Sequence, residues 1–212
     1  MLTKAYIYFL KKDYEKTRSI SENYKKYYPG SKDIVYANYL EAMTYYTLIK
    51  KPNYSQKKSR IALEKFNFIL NLYPNSKYQI DIYTKIQIIE NNLAASKLLT
   101  AKFYLNKKNL NGALVYLKDI YENHSSSLSI DETLYLIVKI YYLIEEEDLA
   151  KNYAAILAYN FPESQWYEKS YYIINNNDQS IDDKETWYKK YNPVKILKKT
   201  INQEKLEIQK ID

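Results

Sequence analysis

One histidine, no cysteine and two glycines bound the chemistry open to this 212-residue chain. Without cysteine there is no thiolate nucleophile, no disulfide and no thiolate metal site. His124 lies in the polar segment Glu122-Asn123-His124-Ser125-Ser126-Ser127 and is expected as an exposed loop residue. One histidine makes neither a histidine-rich metal site nor a Ser-His-Asp triad. Two glycines do not suffice for a Rossmann or P-loop cradle, where backbone must approach phosphate closely. The run Glu145-Glu146-Glu147-Asp148 lacks the alternating oxygen ligands and central glycine of a calcium loop. It reads instead as a turn whose charge favours the start of the next helix. Asn53-Tyr54-Ser55 and Asn123-His124-Ser125 match the glycosylation sequon, a pattern that short sequences meet by chance. No carboxylate pair stands at a suggestive spacing. The chain is therefore expected to be non-enzymatic, with no catalytic residue, no metal and no cofactor.

What the chain has in excess is tyrosine, 27 in all. Tyrosine suits half-buried helix positions, with the ring packed and the hydroxyl at the solvent edge. Lys and Arg number 32 against 25 Asp and Glu, a formal charge of +7. The lysines are spread over most segments and mixed with acids, and no nucleic-acid-binding signature accompanies them, so nucleic acid is not an expected partner. No apolar run reaches 18 residues, and no signal peptide precedes the first amphipathic segment.

The elements that position these side chains follow one repeated frame. In residues 62–76, Ala62, Phe66 and Ile69 share a helical face, and Tyr73-Pro74-Asn75-Ser76 ends the helix. The frame recurs as Thr17, Ser21, Tyr24 and Pro29, as Ala113, Leu117, Ile120 and Ser125, and as Ala150, Ala154, Leu157 and Pro162. Each first small residue precedes its stop by twelve. Upstream, Ala5 and Tyr8, Ala101 and Tyr104, and Val138 and Tyr141 stand twelve and nine residues before the small residue. This pattern resembles the tetratricopeptide repeat (TPR), in which small residues mark the close crossing of two helices and proline ends the second. In the second repeat, Ala42 and Ala62 are twenty residues apart, because the polar stretch 50–58 is inserted.

The fold class expected is all-α: a TPR-like α-solenoid of about four helical hairpins with a C-terminal helical cap. Residues 1–167 form the array, with repeats at roughly 1–31, 32–76, 77–127 and 128–164, and 168–212 form the cap or tail. Helices are expected over 33–48 and 59–73. A further helix over 78–90, with Ile80, Tyr83, Ile86 and Ile89 or Ile88 as its buried stripe, breaks near Asn91-Asn92 and resumes to 105. That gives three helices in the third unit. In the tail, a segment over 193–211 reads either as a capping helix or as a basic amphipathic stretch for a partner or a membrane surface.

The order of features is more specific than the repeat. An insertion with Gln56 and Arg60 precedes Ala62-Leu63-Glu64-Lys65-Phe66. Asn91-Asn92-Leu93-Ala94 lies midway along a long helix that leads to Ala101-Lys102-Phe103-Tyr104-Leu105 and Gly112-Ala113. Tyr159-Asn160-Phe161-Pro162-Glu163-Ser164-Gln165-Trp166-Tyr167 closes the array. In this order, over residues 5–167, the chain resembles the BamD (YfiO) family of outer-membrane protein assembly lipoproteins. The resemblance implies a scaffold and receptor of the β-barrel assembly machine at the periplasmic face of the outer membrane of a Gram-negative bacterium. It implies as partners the POTRA domains of the barrel-forming subunit, the other lipoproteins of the complex and unfolded outer-membrane proteins. Family members are anchored by a lipidated N-terminal cysteine, which this chain does not contain. Met1 matches the family's second repeat, so the resemblance implies an array that continues upstream. Carried over by position, a substrate-peptide groove would comprise Tyr36, Tyr39, Met43, Tyr46, Gln56 and Arg60. A partner-docking face would comprise Asp131, Glu132, Tyr135, Lys139 and Tyr142. Arg60 could pair with a terminal carboxylate there, although Tyr39 and Met43 fit a core equally well and Arg60 a solvated helix start. The alternative function is that of a generic TPR interaction adaptor.

Overall fold

In a computed structural model of the chain, residues 1–175 are described, and they form nine α-helices and no strand. The helices are α1 Leu2–Leu10, α2 Tyr14–Tyr27, α3 Ile34–Tyr46, α4 Lys57–Leu72 and α5 Gln79–Asn106. They continue with α6 Leu110–Asn123, α7 Ile130–Leu143, α8 Glu147–Asn160 and α9 Gln165–Asn175. The fold is all-α and built of TPR-like hairpins. Contacts divide it into two compact units, residues 1–99 and residues from Thr100 onward. The segment 193–211 and the rest of the expected tail beyond 175 lie outside the described residues.

The repeated frame has a repeated turn. Lys12, Lys108 and Glu145 each take a left-handed backbone, with φ of 61°, 58° and 63°. After each, the next residue (Asp13, Asn109 or Glu146) is the N-cap of the following helix. Its N–H reaches back to the carbonyl of Tyr8, Tyr104 or Tyr141 at 2.9–3.0 Å. The left-handed residue bonds in turn to Phe9, Leu105 or Tyr142. This pair of bonds is the Schellman closure, which satisfies carbonyls that a helix end leaves free. The frame tyrosine thus supplies a ring to the packing and a carbonyl to the turn. Asp13 and Asn109 complete their caps by accepting from the N–H of Lys16 (3.2 Å) and Gly112 (2.8 Å).

In the first unit α3 packs between α2 and α4. Ala42, Ala62, Phe66, Ile69, Ile82, Ile89 and Leu93 form its buried cluster. Thr17, in the small-residue position of the frame, is fully buried, and its hydroxyl donates to the carbonyls of Asp13 (2.9 Å) and Ala5 (3.4 Å). In the second unit α7 packs against α6, α8 and α9. Leu117, Ile120, Leu134, Ile137, Val138, Ile140 and Leu157 are sealed from solvent.

Three expectations are corrected. First, α5 has no break at Asn91-Asn92; it runs unbroken for 28 residues, so the third unit has two helices. Asparagine costs a helix only a few tenths of a kcal/mol, and the Asn92 amide is spent sideways on the carbonyl of Lys50 (3.1 Å) and on Gln56. Second, Ile89 is buried as expected, but its companions on the buried face of α5 are Ile82 and Leu93, whereas Ile80 and Tyr83 are exposed. A helix this rich in isoleucine offers more than one apolar stripe, and packing chooses between them. Third, His124 is buried, only 8% exposed. It is the C-cap of α6, the place taken by Tyr28, Tyr73 and Phe161 after α2, α4 and α8. All four caps share one non-helical backbone conformation, with φ between −131° and −137° and ψ between 37° and 60°. Proline follows three of them, as proline's exclusion of the preceding residue from helix requires. His124 is therefore a ring position of the frame.

Candidate functional site

Tyr36, Tyr39, Met43 and Tyr46 stand three and four residues apart, which places them within about 80° of one another on α3. This stripe faces the start of α5 and the middle of α4. The Tyr39 ring stacks on Tyr78 at 4.4 Å, and its hydroxyl donates to Asp81 at 2.6 Å. Burial first, and then the bond to Asp81, raise the Tyr39 phenol well above its ordinary value. Partial burial disfavours the charged Asp81 carboxyl, but the bonds from Lys85 and Tyr39 outweigh that and hold it below the usual value. Tyr46 meets Phe66 edge-on at 6.0 Å, and Met43 packs against the same cluster. These three side chains are bound into the core packing of the unit.

Tyr36 differs. It stacks on Tyr78 at 6.0 Å and lines an open cavity of about 320 Å³ with Val35, Lys77 and Ser76. The Ser76 hydroxyl is buried and has no hydrogen-bond partner among the described residues. Gln56 is also buried, but in the insertion. Its amide nitrogen donates to the carbonyls of Lys51 (3.0 Å) and Tyr54 (2.9 Å). Its oxygen accepts from Ser59 (2.7 Å) and from Asn92. Gln56 thus ties the inserted loop to α4 and α5, while Arg60 lies exposed on the first turn of α4. The six candidates do not converge on one cleft.

The second set is more coherent. Asp131, Glu132, Tyr135, Lys139 and Tyr142 lie on one side of α7 within about 100°. Asp131 accepts from Ser164 at 2.7 Å, which draws the segment before α9 onto the start of α7. Glu132 pairs with Lys102 at 2.7 Å. The Tyr135 ring lies 5.1 Å from Trp166, and the Lys169 ammonium sits 4.1 Å above the same indole. Burial, and then the Glu132 charge, raise the Tyr135 phenol. Lys139 is exposed one turn further on, and Tyr142 is half-buried. The result is an ordered surface of fixed charges and ring faces.

Sequence reasoning overlooked Glu41, Lys25 and Lys65. Glu41 is 3% exposed and bonded by both lysines. Burial opposes its ionisation, yet the two ammonium groups prevail and keep its carboxyl below the ordinary value. One signal was available: Glu41 is the single charged residue of α3 and stands between Leu40 and Ala42. Trp166 and Ser164 were noted only as motif letters, although they order the α7 surface.

A sequence model of the YfiO family, described as "Outer membrane lipoprotein", matches residues 1–157. The chain is 34% identical over 175 residues to the outer membrane protein assembly factor BamD of Rickettsia prowazekii, covering 82% of this chain and 70% of that protein. It is 28% identical over 177 residues to BamD of Caulobacter vibrioides, covering 84% and 58%. To BamD of Neisseria gonorrhoeae it is 22% identical over 173 residues, covering 77% and 65%. The chain thus spans between 58% and 70% of the length of these relatives. No described helix is long and apolar enough to cross a membrane. With the hairpin frame, the inserted loop, the unbroken α5 and these similarities together, the chain belongs to the YfiO outer membrane lipoprotein family.

Proposed function

We propose that this chain is a non-enzymatic scaffold and receptor in outer-membrane protein assembly, working at the periplasmic face of the outer membrane of a Gram-negative bacterium. Its relatives carry the name of outer-membrane protein assembly factor. The observation that carries the reading is the α7 surface, where Asp131, Glu132 and Tyr135 are each held by a neighbour before any partner arrives. Preordered charge and ring faces reduce the entropy lost on docking. This face is assigned to the POTRA domains of the barrel-forming subunit, beside the other lipoproteins of the complex. The Tyr36 end of the α3 stripe, with its cavity, suits an aromatic side chain of an unfolded outer-membrane protein, and the Ser76 hydroxyl suits a polar backbone group of the same segment.

The test is interferometry of the chain on immobilised POTRA domains. The double variant Lys139→Glu, Tyr142→Ala should weaken binding by roughly tenfold or more, as loss of central interface residues does. Failure of the unmodified chain to bind these domains would leave a generic TPR adaptor as the better reading.

A further inference from the structure

About 150° around α3 from the tyrosine stripe lies a second face, formed by Ile34, Asn38, Glu41 and Tyr45. It floors a groove whose walls are α2 and α4. Each wall carries two cations seven residues apart, and hence on one side: Arg18 and Lys25 on α2, Lys58 and Lys65 on α4. Lys25 and Lys65 close on Glu41. Arg18, Lys58 and Lys65 surround the Tyr45 ring, at 5.0, 5.3 and 5.6 Å from its centre. Among the described residues neither Arg18 nor Lys58 has a carboxylate partner; Arg18 reaches only the Thr44 hydroxyl, at 3.4 Å. Lys58 stands in the first turn of α4, which holds no acidic residue, so its charge adds to the positive end of the helix dipole. Beyond Glu41 the groove opens into a cavity of about 490 Å³ with Ile34, Phe68 and Tyr73 in its wall. Phe68 is half exposed there. The charges lining that cavity balance, Lys25 and Lys65 against Glu41 and the exposed Glu64. The cations without a carboxylate are thus Arg18 and Lys58 at the Tyr45 end, with exposed Glu22 one turn beyond Arg18 on α2.

The Tyr45 face attracts all three cations, but only Lys65 also has a carboxylate, so Arg18 and Lys58 remain open to an anion. We propose that the α2–α4 groove docks an acidic peptide segment that carries one aromatic residue. The carboxylates of that segment lie on Arg18 and Lys58, and its ring enters the cavity beside Phe68. The choice of a peptide over a phosphate follows from the apolar cavity, which a small anion leaves unfilled. This site lies on a different face of α3 from the stripe discussed under the proposed function, and it does not depend on that reading.

Fluorescence anisotropy of the chain tests it, using a labelled twelve-residue peptide of Asp and Glu around one Phe and a control peptide with Lys in place of the acids. The acidic peptide should bind and the basic one should not, and binding should weaken as salt is raised. The variant Arg18→Gln, Lys58→Gln should lose roughly three- to tenfold in affinity, as expected for two partly exposed charge contacts. Those substitutions leave both partners of Glu41 in place. Phe68→Ser should weaken binding without changing the salt dependence. Equal binding of both peptides, or unchanged affinity in both variants, overturns the proposal. It is also overturned if the acidic peptide does not bind while vesicles containing phosphatidylglycerol do, with binding lost in Arg18→Gln, Lys58→Gln. The groove would then be a membrane contact.

Discussion

Glu41 is a buried carboxylate held by two lysines that are each about a quarter to a third exposed, and that inequality decides what substitution does. Removing the lysines strands a charge that cannot reach water, whereas removing the carboxylate frees ammonium groups that can. Lys25→Met with Lys65→Met should therefore cost about 3–5 kcal/mol, as for an uncompensated buried charge. Glu41→Gln should cost only about 1–2 kcal/mol, the range for losing charged hydrogen bonds. Urea denaturation measures both, and equal costs would mean that Glu41 is solvated after all. The pH dependence has a defined sign. The folded carboxyl lies below its ordinary value of 4.5, so the unfolded chain takes up the proton first. The contribution of Glu41 is thus full above that value and is lost as pH falls through the folded pKa. The difference in stability between the unmodified chain and Glu41→Gln should be flat above about pH 5 and shrink below it.

At the scale of the element, the three hairpin turns place a side chain where glycine is usual. Lys12, Lys108 and Glu145 all hold φ near +60°. The left-handed conformation costs an L-residue about 1–2 kcal/mol, from which the greater unfolded-state freedom of glycine takes back about half. Lys108→Gly should therefore raise the stability of the second unit by about 0.5–1 kcal/mol. Lys108→Val, branched at Cβ, should lower it. Thermal melts of the two variants read the sign directly, and a destabilised Lys108→Gly would mean that the Lys108 side chain holds the turn by contacts of its own. The inserted loop is managed differently. It replaces the Schellman turn with an amide network through Gln56, Ser59 and Asn92, which ties the polar loop to α4 and α5.

At the scale of the molecule, hairpin arrays distribute stability among neighbours, and distant hairpins feel little of a local loss. Phe66 is the largest sealed side chain of the first unit, flanked by Tyr39 and Tyr46. Phe66→Ala should cost about 3–5 kcal/mol. Hydrogen exchange should then accelerate in α3, α4 and the first half of α5, while α7 and α8 keep their protection. Loss of protection in all of them together would make the chain one cooperative body.

The amino-acid sequence by itself determined the hairpins, because helix ends and small-residue crossings are local rules. Proline, a cap residue or a polar turn suffices to write them, and each of Ala62, Phe66, Ile69, Ala113, Leu117, Ile120, Ala150, Ala154 and Leu157 is buried as its place in the frame requires. It also carried the family, through motifs in fixed order. Tertiary structure alone decided which faces were spent. Nothing local distinguishes Ile80 from Ile82, since both fit a helix and only the position of α4 makes one of them core. Periodicity scores Asn91-Asn92 as a break; only the inserted loop lying against α5 turns Asn92 into an anchor. His124 looked like loop because its neighbours are polar, but the packing beneath it selects a ring. The two cation pairs on α2 and α4 are forty residues apart in the chain, from Arg18 to Lys58. They become one site because α3 lies between them, and electrostatics acts through space and not along sequence.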